Sequence, residues 1–193
     1  MLQKLNKKFL TTQVEILKRH SLNIFATSQY NIVAVRDLDD VRLRKMILET
    51  AQLVATALRE RFGLDTQYKS THKNHPCNVW ARESAGNLRW LIDYGLLLHH
   101  ESITRFGKPH KSGEVLGDQS TLFAAVCSAK EDMTAFPNCA RHTDMDLDFT
   151  HLPVHEAYRA YLNARWARDK RQPKWTNTAP PAWANFVWEE KTI

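Results

Sequence analysis

The stretch from Asp39 to Gly63 constrains the fold of this chain most strongly, because its apolar residues recur at steps of three and four. This spacing places them on one face of an α-helix. Asp39 or Asp40 can cap the first turn of that helix, and Gly63 can end it. The sequence therefore predicts one long core helix, whose inward face comprises Leu43, Met46, Ile47, Thr50, Leu53, Val54, Ala57 and Leu58.

Prolines and glycines mark two further helices. Pro76 suits the first turn of a helix, where its missing N–H is not needed, and Gly107 suits the end of one. Apolar residues recur at helical spacing between them, and we predict a kink or break near Gly86. A last helix is expected to follow Pro153, with an inward side formed by Val154, Ala157, Tyr158, Tyr161 and Leu162.

The remaining segments have weaker patterns. Residues 1–19 show a weak helical pattern, and residues 22–37, rich in β-branched and aromatic side chains, supply at most a short strand or two. Residues 108–152 are predicted to be mostly loop, with one short helix at about 121–127. Together these segments predict a mainly α, compact, single-domain fold, with a short strand or two at most and a tryptophan-rich, extended C-terminal tail.

The composition excludes several classes of protein. Of the 193 residues, 43% are hydrophobic, enough for a core, and no apolar run is long enough to span a bilayer. A secretory signal is not expected, and the three cysteines suit reduced thiols in the cytoplasm better than a disulfide framework. The net charge of +6 favours a polyanionic partner.

The segment HKNHPCNVWARES, residues 72–84, gathers two histidines and a cysteine around one proline. His75 and Cys77, together with Cys139 and His142, are residue types that Zn²⁺ accepts as ligands. The spacing is not that of a usual zinc knuckle, so we expect no metal here. The alternative is that His75 caps the helix and Cys77 is buried. A glycine-rich phosphate loop is also absent from the sequence, and we expect no cofactor.

Glu49 lies at the edge of the apolar face of the first long helix. A carboxylate at the boundary between core and solvent can lose part of its hydration, which raises its pKa toward the range useful for acid–base catalysis. The alternative is an ordinary surface pair with Lys45, one helical turn earlier.

Basic residues cluster near helix ends. Arg42, Arg44 and Lys45 begin the first long helix, and RFGKPHK ends the second. The last helix carries Arg159, Arg165, Arg168, Lys170 and Arg171 beside tryptophans. Basic side chains interleaved with aromatic rings suit phosphates and exposed bases. The alternative is a solvated charged face over tryptophans that belong to the core.

Several segments resemble a group of small phage and bacterial proteins: RLRKMILETAQLVATAL, THKNHPCNVWARESAGNLRWL, RFGKPHKS, AYRAYLNARWARDKRQPKW and the closing PPAW. That group is similar to the pyrimidine-dimer DNA glycosylases of the endonuclease V type. The resemblance covers roughly residues 23–183. It consists of a first helix with a central glutamate, a His-Pro or Ser-Pro entry to a long second helix, and an aromatic, basic tail.

The resemblance implies a compact all-α enzyme that cuts the glycosidic bond at an ultraviolet photoproduct through a Schiff base, then breaks the strand by β-elimination. The essential glutamate of the family falls on Glu49, and Asn23 begins the segment that follows the family's nucleophilic amine. A carboxylate beside an amine can stabilise the oxocarbenium-like transition state and move protons in the imine steps. Recognition of damage would require bending the duplex and flipping a base.

Double-stranded DNA is therefore the expected partner, bound by a monomer inside a bacterial or phage-infected cell. The residues expected to contact DNA are Arg42, Lys45, His75, Arg82, Arg105, Lys108, His110, Lys111 and Arg159. Of the 72–84 segment, His75, Arg82 and Glu83 are expected to face the cleft beside Glu49 while Trp80 packs inside. A structural ion pair between Arg82 and Glu83 is the alternative.

One departure from the family concerns the nucleophile, which in the family is the amine at the N-terminus of the chain. Here residues 1–22 form an extension before a domain at 23–193. Translation could start later, with Leu22 at a non-standard start codon, or the extension could fold back. A lysine such as Lys45 or Lys73 could serve instead, or activity has been lost. Two other functions stay open, namely a non-catalytic DNA-binding protein and a zinc-containing enzyme of modified nucleotides.

Overall fold

The computed structural model describes residues 22–126 and 130–190. The predicted N-terminal helix at 1–19 and nearly all of the predicted extension lie outside these ranges. Within them the helices are α1 (Asn31–Arg36), α2 (Asp40–Phe62), α3 (Pro76–Glu83), α4 (Ala85–Phe106), α5 (Lys111–Val126) and α6 (Val154–Arg168), and the strands are β1 (Arg141–His142) and β2 (Leu147–Asp148). None of these helices is both long and apolar enough to cross a membrane. The predicted mainly α fold is confirmed.

Helix α2 is the centre of the core, as the apolar spacing predicts. It packs against α3, α4 and α5, and its predicted inward residues are buried. The Asp39 side chain caps its N-terminus by accepting a hydrogen bond from the Val41 backbone N–H at 3.3 Å. Gly63 ends the helix at φ 65°, in the left-handed region that favours glycine.

The second long helical segment is broken, as predicted, although the break lies at Ser84. Ser84 has extended backbone angles and caps α4 by accepting a hydrogen bond from the Asn87 N–H at 3.0 Å. Gly86 then allows a close approach, because a Cβ on it would lie 2.6 Å from the backbone of Asp132 and Met133. The loop after α5 therefore packs directly on the first turn of α4.

Two local predictions were wrong. Residues 22–37 contain helix α1 in place of a strand, and the β-branched Val35 is buried in a helix that packs on α4. Helix α5 begins at Lys111, about ten residues before the predicted short helix. It contains Gly113 and Gly117, which weaken helix propensity, but it packs against both α2 and α4. Tertiary packing here outweighs local propensity. The strands β1 and β2 form an antiparallel pair.

The tryptophan-rich tail folds back over the end of α6. Trp166 of α6 is fully buried, and it stacks on Trp183 with a centroid distance of 5.4 Å and meets Trp175 edge-on at 5.0 Å. Trp183 also donates to the Asp37 carboxylate at 3.2 Å, just before α2. The described part of the tail has no helix or strand but contains turns, which is partly consistent with the predicted extended tail, and it joins α6 to the start of the core helix.

A buried ion-pair network joins the same elements. The Arg42 guanidinium donates to Asp39 Oδ1 at 2.9 Å and to both carboxylate oxygens of Asp169 at 2.8 and 3.0 Å. Asp39 Oδ1 also accepts from the Trp166 indole N–H at 3.0 Å. Burial disfavours a charge here, but the carboxylates of Asp39 and Asp169 outweigh it and raise the pKa of Arg42.

Replacement of Arg42 by methionine should therefore be strongly destabilising, because it leaves the carboxylate of Asp39, 1% exposed, without its cation. We expect the free energy of unfolding to fall by about 3–5 kcal/mol in a denaturant titration. Lys170→Met, at an exposed position nearby in sequence, is the matched control and should stay within about 0.5 kcal/mol of wild type. Equal stability of the two variants would contradict the structural role of Arg42.

Candidate active site

Glu49 is the buried acid of the site, with 7% of its surface exposed on α2. Its Oε1 lies 3.1 Å from the Lys45 ammonium, and the backbone N–H of Asn23 also favours the charged carboxylate. Burial outweighs both interactions and raises the pKa of Glu49. Oε2 is buried and has no hydrogen-bond partner among the described residues. Both predicted features of Glu49, desolvation and the pair with Lys45, are present together.

A tight turn at Asn23 brings the start of the described chain to this acid. The Asn23 side chain is 1% exposed and accepts hydrogen bonds from the N–H groups of Ile24 and Phe25 at 2.8 and 3.2 Å. Its Nδ2 donates to the Cys139 carbonyl at 3.3 Å. The oxygen and the nitrogen of the Asn23 side chain are thus both hydrogen-bonded. These contacts fix the turn in which the backbone N–H of Asn23 donates to Glu49.

Tyr94 of α4 is a second buried polar group near Glu49. Its side chain is fully buried, and its hydroxyl has no hydrogen-bond partner in the part of the chain that the structure describes. Burial raises the pKa of Tyr94, and the negative charges of Glu49 and Asp37 raise it further. The hydroxyl therefore stays protonated and can donate a hydrogen bond near the acid.

A basic cleft of about 460 Å³ is connected to Glu49 through Lys45, although Glu49, Asn23 and Tyr94 do not line it. Phe25 and Tyr161, stacked with centroids 6.1 Å apart, line it. Lys45 belongs to both the cleft and the Glu49 pair. The other lining residues are mostly cationic or polar: Val41, Arg42, His142, Arg165, Asp169, Lys170 and Arg171. A cationic cleft with an aromatic wall can hold a phosphate chain beside an unstacked base.

The residues predicted to contact DNA lie in several different places. Lys45 and Arg42 line the cleft, although Arg42 is 6% exposed and bound to carboxylates. Arg159 donates to the Thr27 carbonyl at 3.0 Å and lies over the Trp183 ring. Of these three, Lys45 combines a position in the cleft with partial exposure.

The predicted basic cluster after α4 divides into buried and exposed residues. The side chain of Arg105 is fully buried and donates to the Leu38 carbonyl at 2.7 Å and to Glu101 at 2.8 Å. His110 accepts from the Ser112 N–H at 3.2 Å at the start of α5. Lys108 and Lys111 are exposed. Arg105 thus holds helices together, whereas the two lysines remain available at the surface.

The 72–84 segment is the entry to α3, as predicted. His75 caps the helix through Nδ1, which accepts the Cys77 N–H at 3.2 Å, and Trp80 packs inside at 3% exposed. Arg82 donates to the Lys73 carbonyl, and Glu83 accepts from the Thr134 hydroxyl at 3.1 Å. Arg82 and Glu83 are thus held by partners other than each other.

Three of the four predicted zinc ligands converge. The ligand atoms of His75, Cys77 and Cys139 all lie within 4.8 Å of one another, and His142 is outside this group. The Cys77 thiol donates to the Cys139 sulfur at 3.8 Å, which together with burial raises the pKa of Cys77. The same hydrogen bond lowers the pKa of Cys139. This cluster is where the described residues could hold a metal ion.

Sequence reasoning did not place several residues in the cleft, among them His142, which it treated only as a possible zinc ligand. Arg165, Lys170 and Arg171 belong to a basic stretch that the sequence shows, yet spacing alone does not separate them from neighbouring cations. His142 lines the same cleft, and its Nδ1 is buried without a partner among the described residues. Their convergence depends on the long-range Arg42–Asp169 contact, which no local pattern reports.

The raised pKa of Glu49 predicts a pH dependence of stability. Its native carboxyl binds a proton more tightly than the unfolded one, so wild type loses free energy of unfolding relative to Glu49→Gln as pH rises from about 4.3 through the native pKa. Lys45→Met should widen this window, because the Lys45 charge and hydrogen bond both lower the pKa.

Denaturant titrations at a series of pH values would measure this difference. Glu114→Gln, at an exposed position of α5, is the matched control and should follow the wild-type profile. Parallel profiles for wild type and Glu49→Gln would show that the Glu49 carboxyl is not desolvated.

Comparison with known proteins finds one family model that matches part of the chain. Residues 22–114 match the family model described as pyrimidine dimer DNA glycosylase. The match includes Asn23, Lys45, Glu49, His75 and Cys77, whereas Cys139 and the last helix lie beyond it. No curated protein and no solved structure matches the chain significantly. The predicted resemblance is confirmed, because residues 22–114, just under half of the chain, are similar to the pyrimidine dimer DNA glycosylase family.

Proposed function

We propose that this protein is a glycosylase and abasic lyase that acts on pyrimidine photoproducts in duplex DNA. The observation that supports this best is the environment of Glu49. Its buried carboxylate contacts both the backbone nitrogen of Asn23 and the ammonium of Lys45, which lines a basic cleft. An acid with a raised pKa beside a nitrogen nucleophile is the arrangement that imine chemistry at a sugar needs.

The proposed reaction forms and breaks defined bonds. An uncharged amine attacks C1′ of the damaged nucleotide, the bond from C1′ to the base breaks, and the base leaves with the electron pair. Glu49 stabilises the positive charge on the sugar and transfers protons as the ring opens to an iminium ion. Loss of a proton from C2′ then expels the 3′ phosphate by β-elimination, and water hydrolyses the resulting imine to release the amine.

Two nitrogens near Glu49 are candidates for the nucleophile. In a chain that begins at Asn23, the backbone nitrogen of that residue is a free amine, already directed at the carboxylate. In a chain that continues before it, the same nitrogen is an amide and is not nucleophilic. Lys45 is then the alternative, whereas Lys73 pairs with Glu60 at 2.7 Å on an exposed loop. We favour Asn23, because the family resemblance places the nucleophilic amine at the start of this segment.

The DNA strand would lie along the basic cleft. Lys45, Arg165, Lys170 and Arg171 supply cationic groups for phosphates, and the stacked Phe25 and Tyr161 rings supply an apolar wall for an unstacked base. Arg42 and Arg105 hold the scaffold through their carboxylate and carbonyl partners. Lys108, His110 and Lys111, at the start of α5, remain candidates for contacts with the flanking duplex.

Borohydride trapping tests the chemistry. We would incubate duplex DNA carrying a cyclobutane pyrimidine dimer or an abasic site with the full-length chain and with a chain whose Asn23 amine is released by proteolysis of a fusion. The chain that begins at Asn23 should form a covalent adduct. Glu49→Gln should reduce the adduct on the dimer by about 10²-fold or more, because proton transfer by the acid is lost.

Matched variants separate the two nucleophiles. Peptide mapping of the adduct should place DNA on Asn23, and Lys45→Met should retain trapping. Attachment to Lys45 would overturn the choice of nucleophile but keep the enzyme class. Glu114→Gln is the control for the acid. No adduct in either chain, with DNA affinity intact, would favour the non-catalytic DNA-binding alternative.

Salt dependence of DNA binding tests the cleft. Each phosphate contact contributes about 0.9 to the slope of log K against log salt concentration. The double variant Lys170→Gln/Arg171→Gln should therefore reduce the slope by about two. Lys69→Gln, an exposed lysine that does not line the cleft, should leave the slope unchanged. An unchanged slope in the double variant would place the DNA elsewhere on the surface.

A further inference from the structure

Three metal-binding side chains meet at the start of α3, beside the proposed catalytic site. His75 is the N-cap of α3, Cys77 lies in its first turn, and Cys139 comes from the loop before β1. Cys77 and Cys139 are separated by 62 positions in the chain, yet their sulfurs are 3.8 Å apart. The ligand atoms of all three residues lie within 4.8 Å of one another.

The distance between the two sulfurs fits a shared metal ion. Two thiolates at about 2.3 Å from a tetrahedral Zn²⁺ lie about 3.8 Å apart, which is the separation observed here. A disulfide would require the sulfurs to approach to about 2.05 Å, and both cysteines are free. The pair is therefore spaced for metal coordination without rearrangement of its backbone.

We propose that His75, Cys77 and Cys139 form a binding site for a zinc ion. Two thiolates and one neutral imidazole are a ligand set that Zn²⁺ prefers over harder donors. A ring nitrogen of His75 supplies the third ligand atom. Coordination through Nδ1 would replace the hydrogen bond that this atom accepts from the Cys77 N–H at 3.2 Å. The imidazole and the two sulfurs supply three ligands, and a water molecule would take the fourth position.

The environment of Cys139 connects this site to the turn at Asn23. The Cys139 N–H donates to the Tyr158 hydroxyl at 3.2 Å, and that hydroxyl donates to the Pro137 carbonyl at 2.9 Å. The Cys139 carbonyl accepts from the Asn23 side chain at 3.3 Å. Outer contacts of this kind orient metal ligands. A bound ion would thus fix the loop that holds residue 23 against Glu49.

Metal analysis of the untagged full-length chain tests the proposal without DNA. The protein is reduced with a phosphine, stripped with a chelator, reconstituted with ZnCl₂ and desalted, and the retained zinc is measured by mass spectrometry. We expect close to one ion per chain. Substitution of Co²⁺ should give visible ligand-field bands and a near-ultraviolet sulfur-to-cobalt charge-transfer band, which report thiolate ligands directly.

Single variants assign the ligands. Cys77→Ser and Cys139→Ser should each abolish the charge-transfer band or weaken zinc binding by more than the ~10–100-fold that loss of an outer partner causes. His75→Gln should weaken zinc binding, while His100→Gln, at an exposed position of α4, should not. Circular dichroism of each variant establishes that it is folded.

The zinc and cobalt measurements distinguish a native zinc site from its absence. Zinc that raises the thermal midpoint of wild type and not of Cys139→Ser would support a site in the native fold. Wild type that retains less than about a tenth of an ion and shows no cobalt–thiolate band would overturn the proposal. Unchanged zinc binding in both cysteine variants would overturn it as well. These results are independent of the proposed DNA chemistry, because none requires incision of DNA.

Discussion

The structure depends on one buried guanidinium. Arg42 binds Asp39, which caps α2 and accepts from Trp166, and it binds Asp169 at the end of α6. This network fixes the last helix against the start of the core helix. Arg165, Asp169, Lys170 and Arg171 thereby reach the same cleft as Lys45. Removal of one member leaves a buried charge without a counter-ion. The stability of the fold and the position of the cleft walls therefore both depend on these ion pairs.

The sequence predicts the helices where local rules and burial agree. The caps Asp39 and Gly63 and the helical spacing between them define α2, and Pro76 and Gly107 define the outer bounds of α3 and α4. Local rules fail for α1 and α5, because α1 is stabilised by packing on α4, and α5 by packing on both α2 and α4. Propensity describes the isolated segment, and packing decides the outcome.

The candidate site also combines features that local sequence rules predict with features that depend on long-range packing. Glu49 follows from its position on the edge of a helix, and the resemblance to a repair family points to the same residue. The approach of Asn23 to Glu49, and of Cys139 to Cys77, depends on contacts across 26 and 62 positions, which no spacing rule predicts. Arg105 was predicted from its basic stretch to contact DNA, yet its side chain is fully buried. Composition cannot distinguish a cation that holds the scaffold from one that faces the cleft.

The position of Lys45 between Glu49 and the cleft has a consequence for how the acid responds to its substrate. Lys45 is the main group that keeps the pKa of Glu49 from rising further, and it is also a cation that an incoming phosphate would attract. A polyanion in the cleft therefore competes with the carboxylate for one ammonium. When the Lys45 ammonium pairs with a phosphate in place of Glu49, the Glu49 carboxylate becomes a stronger base and holds its proton more tightly. A polyanion in the cleft would thus raise the pKa of Glu49 further, which couples proton uptake to binding of the polyanion.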